Sequence, residues 1–275
     1  MTIFPRFLAI TILVILAFAT AGSADTVYVA GADNDFGTLD LSTGTFTSIG
    51  VTSQTFYGMG FSGGTLYGLD SEDRAKLYKI NPATGATTEI SVPNTHDADG
   101  ATAGPGGLLY AISYYSGDLY TVNPVSGVIH VIGNTGLGVS DSFTVDGLLA
   151  FVNGVLYTDA SNSSLSDEGL YSVNLTTGLA TRIGATGAVQ PMDSGVFADG
   201  TLYGFSLDDQ IYTIDTATGA ATRTGSYDLD HGGGEAIYAA AALPSASPVP
   251  EPSTFMPLMA LMLCLTVLRW KCCRT

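Results

Sequence analysis

Cysteine is missing from the whole of residues 25–248; Cys264, Cys272 and Cys273 all lie in the last twelve positions. Disulfides, cysteine-held zinc and a cysteine nucleophile are therefore excluded from the body of the chain. Basic residues are almost as scarce. There are 9 Lys and Arg against 25 Asp and Glu, and four of the nine (Arg6, Arg269, Lys271, Arg274) stand at the ends. Residues 25–248 keep five basic and 24 acidic side chains, a formal charge of −19. Such a body has no basic footprint with which to neutralise phosphates, so nucleic acid is excluded as a partner. Charged residues make up only 12% of the chain, hydrophobic ones 46%, and Gly occurs 34 times. The chain is too apolar for disorder, and its Gly, Thr and Tyr favour short strands and tight turns over a helical bundle.

Long apolar runs occur only at the two ends. Arg6 precedes the run Phe7 to Ala19, followed by the small residues Ala19-Thr20-Ala21-Gly22-Ser23-Ala24. Residues 1–24 read as a secretory signal peptide that engages the Sec export machinery and is cleaved after Ala21 or Ala24. The alternative, an uncleaved anchor, asks a short run to replace the ~20 residues a span usually needs. At the other end, residues 244–254 form a Pro/Ser linker. Residues 255–275 then supply an apolar segment, Phe255 to Leu268, and a basic tail with Arg269, Lys271 and Arg274. Physically this is a stiff spacer, a marginal membrane segment and a stop held on the cytoplasmic side; an ordinary C-terminal anchor is the competing reading.

The sequence Val249-Pro250-Glu251-Pro252-Ser253, the apolar segment and the basic end together resemble the PEP-CTERM sorting signal of Gram-negative bacteria. The resemblance covers about 27 residues. It departs from the family in its last residues, Arg269-Trp270-Lys271-Cys272-Cys273-Arg274, where an Arg cluster is more usual. It implies recognition by an exosortase-like processing enzyme, cleavage near Pro-Glu-Pro, and a place at the cell surface or in an extracellular polysaccharide matrix of the biofilm type, with transient or stable inner-membrane anchoring on the way.

The middle of the chain is an internal repeat. Leu77-Tyr78-Lys79-Ile80-Asn81-Pro82-Ala83-Thr84-Gly85 has counterparts ending at Gly44, Gly127, Gly178 and Gly219, so the glycines recur at intervals of 41, 42, 51 and 41. Asp40, Asn81, Asn123, Asn174 and Asp215 open each turn, where an Asx side chain can bond the backbone two residues on. The glycine supplies the left-handed residue that ends such a hairpin. A second motif interleaves with the first, as in Gly64-Thr65-Leu66-Tyr67 and Gly200-Thr201-Leu202-Tyr203, behind a Gly-rich apolar strand such as Tyr57-Gly58-Met59-Gly60-Phe61. Four short strands in each 41–51 residues predict the blades of a β-propeller. The expected fold is all-β: a single propeller over residues 25–243 with five four-stranded blades, plus an N-terminal signal helix and a C-terminal hydrophobic helix. Thr26 to Ala30 matches the second strand of a unit, so the missing first strand is expected from Glu235 to Ala241. A six-bladed ring is the main alternative, and a β-sandwich does not account for the repeated turn. The repeat resembles that of bacterial secreted propellers of the quinoprotein-like and surface-repeat type over most of residues 26–242. That resemblance implies a fold and no activity, because propellers host unrelated functions.

No nucleophile elbow, phosphate loop, His-Glu-x-x-His or dinucleotide fingerprint is present. A quinone cofactor would need basic groups for its acids, and only Arg74, Lys76, Lys79, Arg182 and Arg223 are on hand. No cofactor is expected from this, with Ca²⁺ kept open. His130 lies in the alternating run Val128 to Ile132 and reads as a strand residue. His96, Asp97, Asp99, Asp141, Asp193, Asp230 and His231 lie where loops should gather at one rim of the channel. They are candidates for a cation site, most naturally Ca²⁺ with its hard oxygen ligands, or for the acid and base of a polysaccharide-active enzyme. The plain reading is that Asp and Gly make good turns. The recurrent Tyr residues read as blade packing before they read as a sugar platform. The expectation from sequence is an exported, non-catalytic propeller whose rim binds polysaccharide or protein, with the secreted enzyme as the alternative.

Overall fold

The structure is a computed structural model that describes residues 26–70, 74–90, 96–162, 168–229 and 236–243. The signal segment, the linker, the sorting motif Val249 to Ser253, the basic tail and both expected terminal helices lie outside the described residues. Among the described residues there is no α-helix, only short 3₁₀ turns at Pro105–Gly107 and Val139–Asp141, and no helix is long and apolar enough to cross a membrane.

Twenty strands form five antiparallel four-stranded sheets, each running from an innermost strand at the axis to an outermost strand at the rim. Blade one is β20 (Ile237–Ala242), β1 (Thr26–Gly31), β2 (Asp35–Asp40) and β3 (Thr45–Val51). Blade two is β4 (Phe56–Ser62), β5 (Thr65–Asp70), β6 (Leu77–Ile80) and β7 (Thr87–Ile90). Blade three is β8 (Ala101–Ala103), β9 (Leu109–Ile112), β10 (Asp118–Val122) and β11 (Ile129–Asn134). Blade four is β12 (Phe143–Val152), β13 (Val155–Asn162), β14 (Glu168–Val173) and β15 (Ala180–Ala185). Blade five is β16 (Met192–Ala198), β17 (Thr201–Ser206), β18 (Gln210–Ile214) and β19 (Ala221–Ser226). The innermost strands touch in the cyclic order β20, β4, β8, β12, β16 and back to β20. The protein is a five-bladed β-propeller.

The last strand closes the ring. β20 pairs with β1 through Val27–Ala242, Tyr28–Ala241, Val29–Ala240 and Ala30–Ala239. The first blade is thus built from both ends of the body, and one row of exposed strand edge disappears.

The repeated turns form as their residues dictate. Asn123 Oδ1 accepts hydrogen bonds from the Val125 N–H at 2.9 Å and the Ser126 N–H at 3.0 Å. The Gly127 N–H then donates to the Asn123 carbonyl at 2.7 Å, with Gly127 at φ 71°. Asp40, Asn81, Asn174 and Asp215 repeat this arrangement with Gly44, Gly85, Gly178 and Gly219. These turns lie at the C-terminal ends of the third strands, on the face where the inner strands end.

Between the blades the apolar faces meet. Phe36, Phe56, Leu66, Tyr120 and Phe205 are fully enclosed, and Tyr78, Tyr171 and Tyr212 are buried beside them. Tyrosine at the repeat position is core, as the sequence reading holds. The fourth strands face solvent on most of their residues. Blades approach closely at the rim: a Cβ on Gly133 or Gly184 would lie 2.2 or 2.0 Å from the carbonyl oxygen of Thr177 or Thr218 in the next blade's turn.

Candidate functional site

Every inner strand carries a β-bulge near its start. In blade two, Phe56 pairs with Asp70 and Gly58 with Leu69, which leaves Tyr57 as the extra residue. In blade five, Met192 pairs with Ser206 and Ser194 with Phe205, which leaves Asp193. In blade one, Ala239 pairs with Ala30 and Ile237 with Gly31, which leaves Tyr238. In blade three, the Asp99 N–H donates to the Ile112 carbonyl at 3.0 Å and the Ile112 N–H to the Gly100 carbonyl at 3.3 Å. Asp99 and Gly100 therefore share one partner. Blade four has the widest bulge: Asp146, Gly147 and Leu148 face the single residue Asp159. A bulge leaves its extra residue unpaired and re-aims that side chain. Tyr57, Asp99, Asp193 and Tyr238 occupy equivalent places at one mouth of the channel, and Asp146 joins them from the wider bulge of blade four, one residue earlier in register.

The ring is aromatic on one side and acidic on the other. Tyr57 and Tyr238 stack, with centroids 5.1 Å apart and planes 10° from parallel. Asp99, Asp146 and Asp193 are neighbours electrostatically. Burial pushes the Asp99 carboxyl up to about 7, with Asp146 and Asp97 adding repulsion. Burial pushes Asp193 up to about 8, with Asp99 and Asp146 adding to it. Burial also raises Asp146, against the pull of a hydrogen bond from Ser161. Behind them, Glu168 is raised to about 7 by burial and by Asp146. Burial raises the Tyr238 phenol first, then Asp193, Tyr57 and Asp99. The Tyr114 phenol is raised in the same way by burial, Asp99, Tyr115 and Asp146, so both phenols belong to the same mouth.

Two of the three aspartates hold an unsatisfied oxygen. Asp146 is 8% exposed. Its Oδ1 accepts from the Ser161 hydroxyl at 3.1 Å, while its Oδ2 has no hydrogen-bond partner among the described residues. Asp193 Oδ2 is in the same position. A buried polar atom without a partner costs free energy unless it is protonated or something binds it. All five basic residues of the body, Arg74, Lys76, Lys79, Arg182 and Arg223, are exposed.

Asp159 is a separate device. Its position on the second strand is taken by Leu69, Ile112 and Phe205 in blades two, three and five. Its Oδ1 accepts from the Leu148 N–H at 3.2 Å and its Oδ2 from the Met192 N–H at 3.3 Å. It therefore ties the wide bulge of blade four to the start of blade five. Burial, then Asp146 and Glu168, hold its carboxyl well above the usual range.

The residues singled out from sequence fall in different places. Asp99 and Asp193 come together at the mouth. Asp97 is buried and spoken for: Oδ1 accepts from the Ser113 hydroxyl at 2.6 Å, Oδ2 from the Tyr115 N–H at 3.3 Å, and its carbonyl from the Tyr120 hydroxyl at 2.9 Å. His96 is half-buried with its ring 5.2 Å from that of Tyr120. Asp141 lies exposed in the second 3₁₀ turn. Asp230 and His231 lie outside the described residues. Among the described residues no three His, Cys, Asp or Glu side chains form a group that could hold one metal ion. Sequence reasoning passes over Asp146, Asp159, Glu168 and the tyrosines of the mouth. The signal for Asp146 is its spacing: Asp99, Asp146 and Asp193 recur at intervals of 47, each followed by Gly or Ser-Gly.

At the opposite end of the channel the same strands enclose a cavity of about 180 Å³, lined by Met59, Phe61, Phe151, Val196, Phe197 and Ala240 to Ala242 of β20. The two mouths therefore differ: one acidic and phenolic, one apolar.

No curated protein matches the chain. Among solved structures it is similar to a chain of the nidogen/laminin complex, at 12% identity, covering 79% of this chain and 98% of that one, with a TM-score of 0.49. It is also similar to virginiamycin B lyase from Staphylococcus aureus, at 14% identity, covering 73% and 70%, with a TM-score of 0.46. Residues 105–241 match a family model described as a repeat of unknown function, DUF6923; the match runs over the last three strands of blade three, blades four and five and most of the closing strand.

Proposed function

We propose that the protein is an exported, non-catalytic propeller that binds a ligand at the mouth formed by Tyr57, Asp99, Asp146, Asp193 and Tyr238, and that residues 249–275 sort it to the cell surface or the extracellular polymer matrix. The observation that carries the binding reading is the set of five bulges. Each of the five blades interrupts its inner ladder at the same end to free a polar or aromatic residue, and bulges cluster next to functional sites. The export reading rests on the two ends of the sequence. The test has two arms. Glycan-array capture of the intact protein should be lost in Tyr57→Leu and Asp193→Asn; capture unchanged in both sinks the mouth. Deleting residues 249–275 should move the protein to another cell fraction without changing its melting; a deletant retained and processed like the parent sinks the sorting role.

One observation favours a second reading. Carboxyls held near 7 to 8 at a cleft are poised to act as general acids at neutral pH, which suits a polysaccharide-active enzyme. Release of oligosaccharides from a polymer panel, abolished in Asp193→Asn, would establish it in place of the binding module.

A further inference from the structure

The chemistry of the mouth selects its ligand. Three of the five bulge positions are carboxylates and they are consecutive around the ring, in blades three, four and five. The other two are the stacked pair Tyr57 and Tyr238, and Tyr114 lies within electrostatic reach of Asp99 and Asp146. Asp146 is nine-tenths buried, and its unpartnered Oδ2 belongs to a carboxylate that acts on both Asp99 and Asp193. No arginine or lysine acts on the three carboxylates. An anion is repelled at this mouth, and a cation is the ligand that favours the ionised carboxylates over their protonated forms. A bare divalent ion needs six to eight oxygens at short range, and no three described carboxylates form such a group. A larger, weakly hydrated cation is satisfied by separated carboxylates and gains further from aromatic neighbours.

We infer that the mouth takes an organic ammonium group, held among Asp99, Asp146 and Asp193 with Tyr57, Tyr114 and Tyr238 as its aromatic wall. The inference rests on the binding reading above and gives it a ligand class. The ammonium group enters as a preformed cation, and no covalent step is involved. An amino sugar and a lysine side chain both carry it.

The experiment is thermal unfolding of the intact protein at pH 7 with tetramethylammonium, glucosamine or lysine amide. The controls are tert-butanol, N-acetylglucosamine, CaCl₂ and KCl at matched ionic strength. At ten times its Kd an ammonium probe should raise the Tm by about 3 °C, and the neutral and inorganic controls should not. Asp146→Asn and Tyr57→Leu should each abolish the shift while still melting cooperatively; if Asp146→Asn does not fold, the half-buried Asp99→Asn takes its place. Glucosamine outperforming lysine amide identifies an amino-sugar polymer as the source, and the reverse identifies a protein; either supports the inference. No shift with any ammonium probe, an equal shift with KCl, a larger one with CaCl₂, or a shift that survives in the variants overturns it. A neutral glycan captured by the parent protein and lost in Tyr57→Leu would overturn the ammonium ligand and leave the mouth standing as a binding site.

Discussion

Tyr57 and Tyr238 meet face to face although 181 positions separate them in the chain. One lies on the first inner strand of the body and the other on the last. Their contact places the seam of the ring and one wall of the acidic mouth at the same spot. Closure of the fold and completion of the site are therefore one event, and a lesion in β20 should damage both.

Removing β20 should cost the fold. A chain ending at residue 236 loses the partner of β1 and the Tyr238 ring, and should melt without a cooperative transition. A chain ending at residue 243 should melt with the parent. Circular dichroism of the two truncations checks this; equal melting of both would refute the closure.

Stability should fall as pH rises. The ordinary carboxyl values of 3.8 for Asp and 4.5 for Glu rise to about 7 for Asp99 and Glu168 and about 8 for Asp193. Over that interval the folded protein holds more protons than the unfolded chain, so the slope of stability against pH is negative. The contribution is fully present below about 4 and is lost as pH rises through about 7 to 8. Denaturant midpoints should be higher at pH 5 than at pH 8.5, and Asp193→Asn should flatten the slope. A midpoint that climbs with pH would show that these carboxyls are charged in the fold.

Asp159 should tolerate an amide better than a hydrocarbon. Asp159→Leu installs the apolar residue of the sister blades but strands the N–H groups of Leu148 and Met192, each a loss of about 1–3 kcal/mol. Asp159→Asn keeps a carbonyl acceptor and should cost about 1 kcal/mol. Urea unfolding ranks the two; a leucine variant as stable as the parent would mean that the bulge needs no tether.

Gly58 should resist even a methyl group. A Cβ there would lie 2.1 Å from the backbone nitrogen of Ala101 in the next blade. Gly58→Ala should therefore cost about 3 kcal/mol, the upper end of ordinary overpacking. Gly200, at φ +83° with nothing nearby, should lose only the left-handed preference, about 1 kcal/mol on change to Ala. Paired melting curves separate crowding from conformation.

Much of the ring is legible in the sequence because its turns are local. Asn81 to Gly85 and its four counterparts encode a hairpin within five residues, and counting them counts blades. The closing strand is legible because Thr26 to Gly31 lacks an inner partner earlier in the chain; the strand runs one residue later than expected, to Ala242. The mouth is harder. Its residues are chosen by inner-strand bulges, and a bulge is a property of two strands in register, invisible in either alone. Sequence favours Asp141 over Asp146 because it precedes the apolar strand, whereas β12 begins at Phe143 and carries Asp146 inside it. Asp159 stands in an apolar slot, where nothing local announces a tether to a neighbouring blade.

The pairing of Val27 with Ala242 also dictates an order of events. A nascent chain emerging from the ribosome can assemble hairpins one after another, but its first blade stays open until the final strand is synthesised. Contacts of such sequence separation form slowly. The toroid therefore locks only once its last strand has been made.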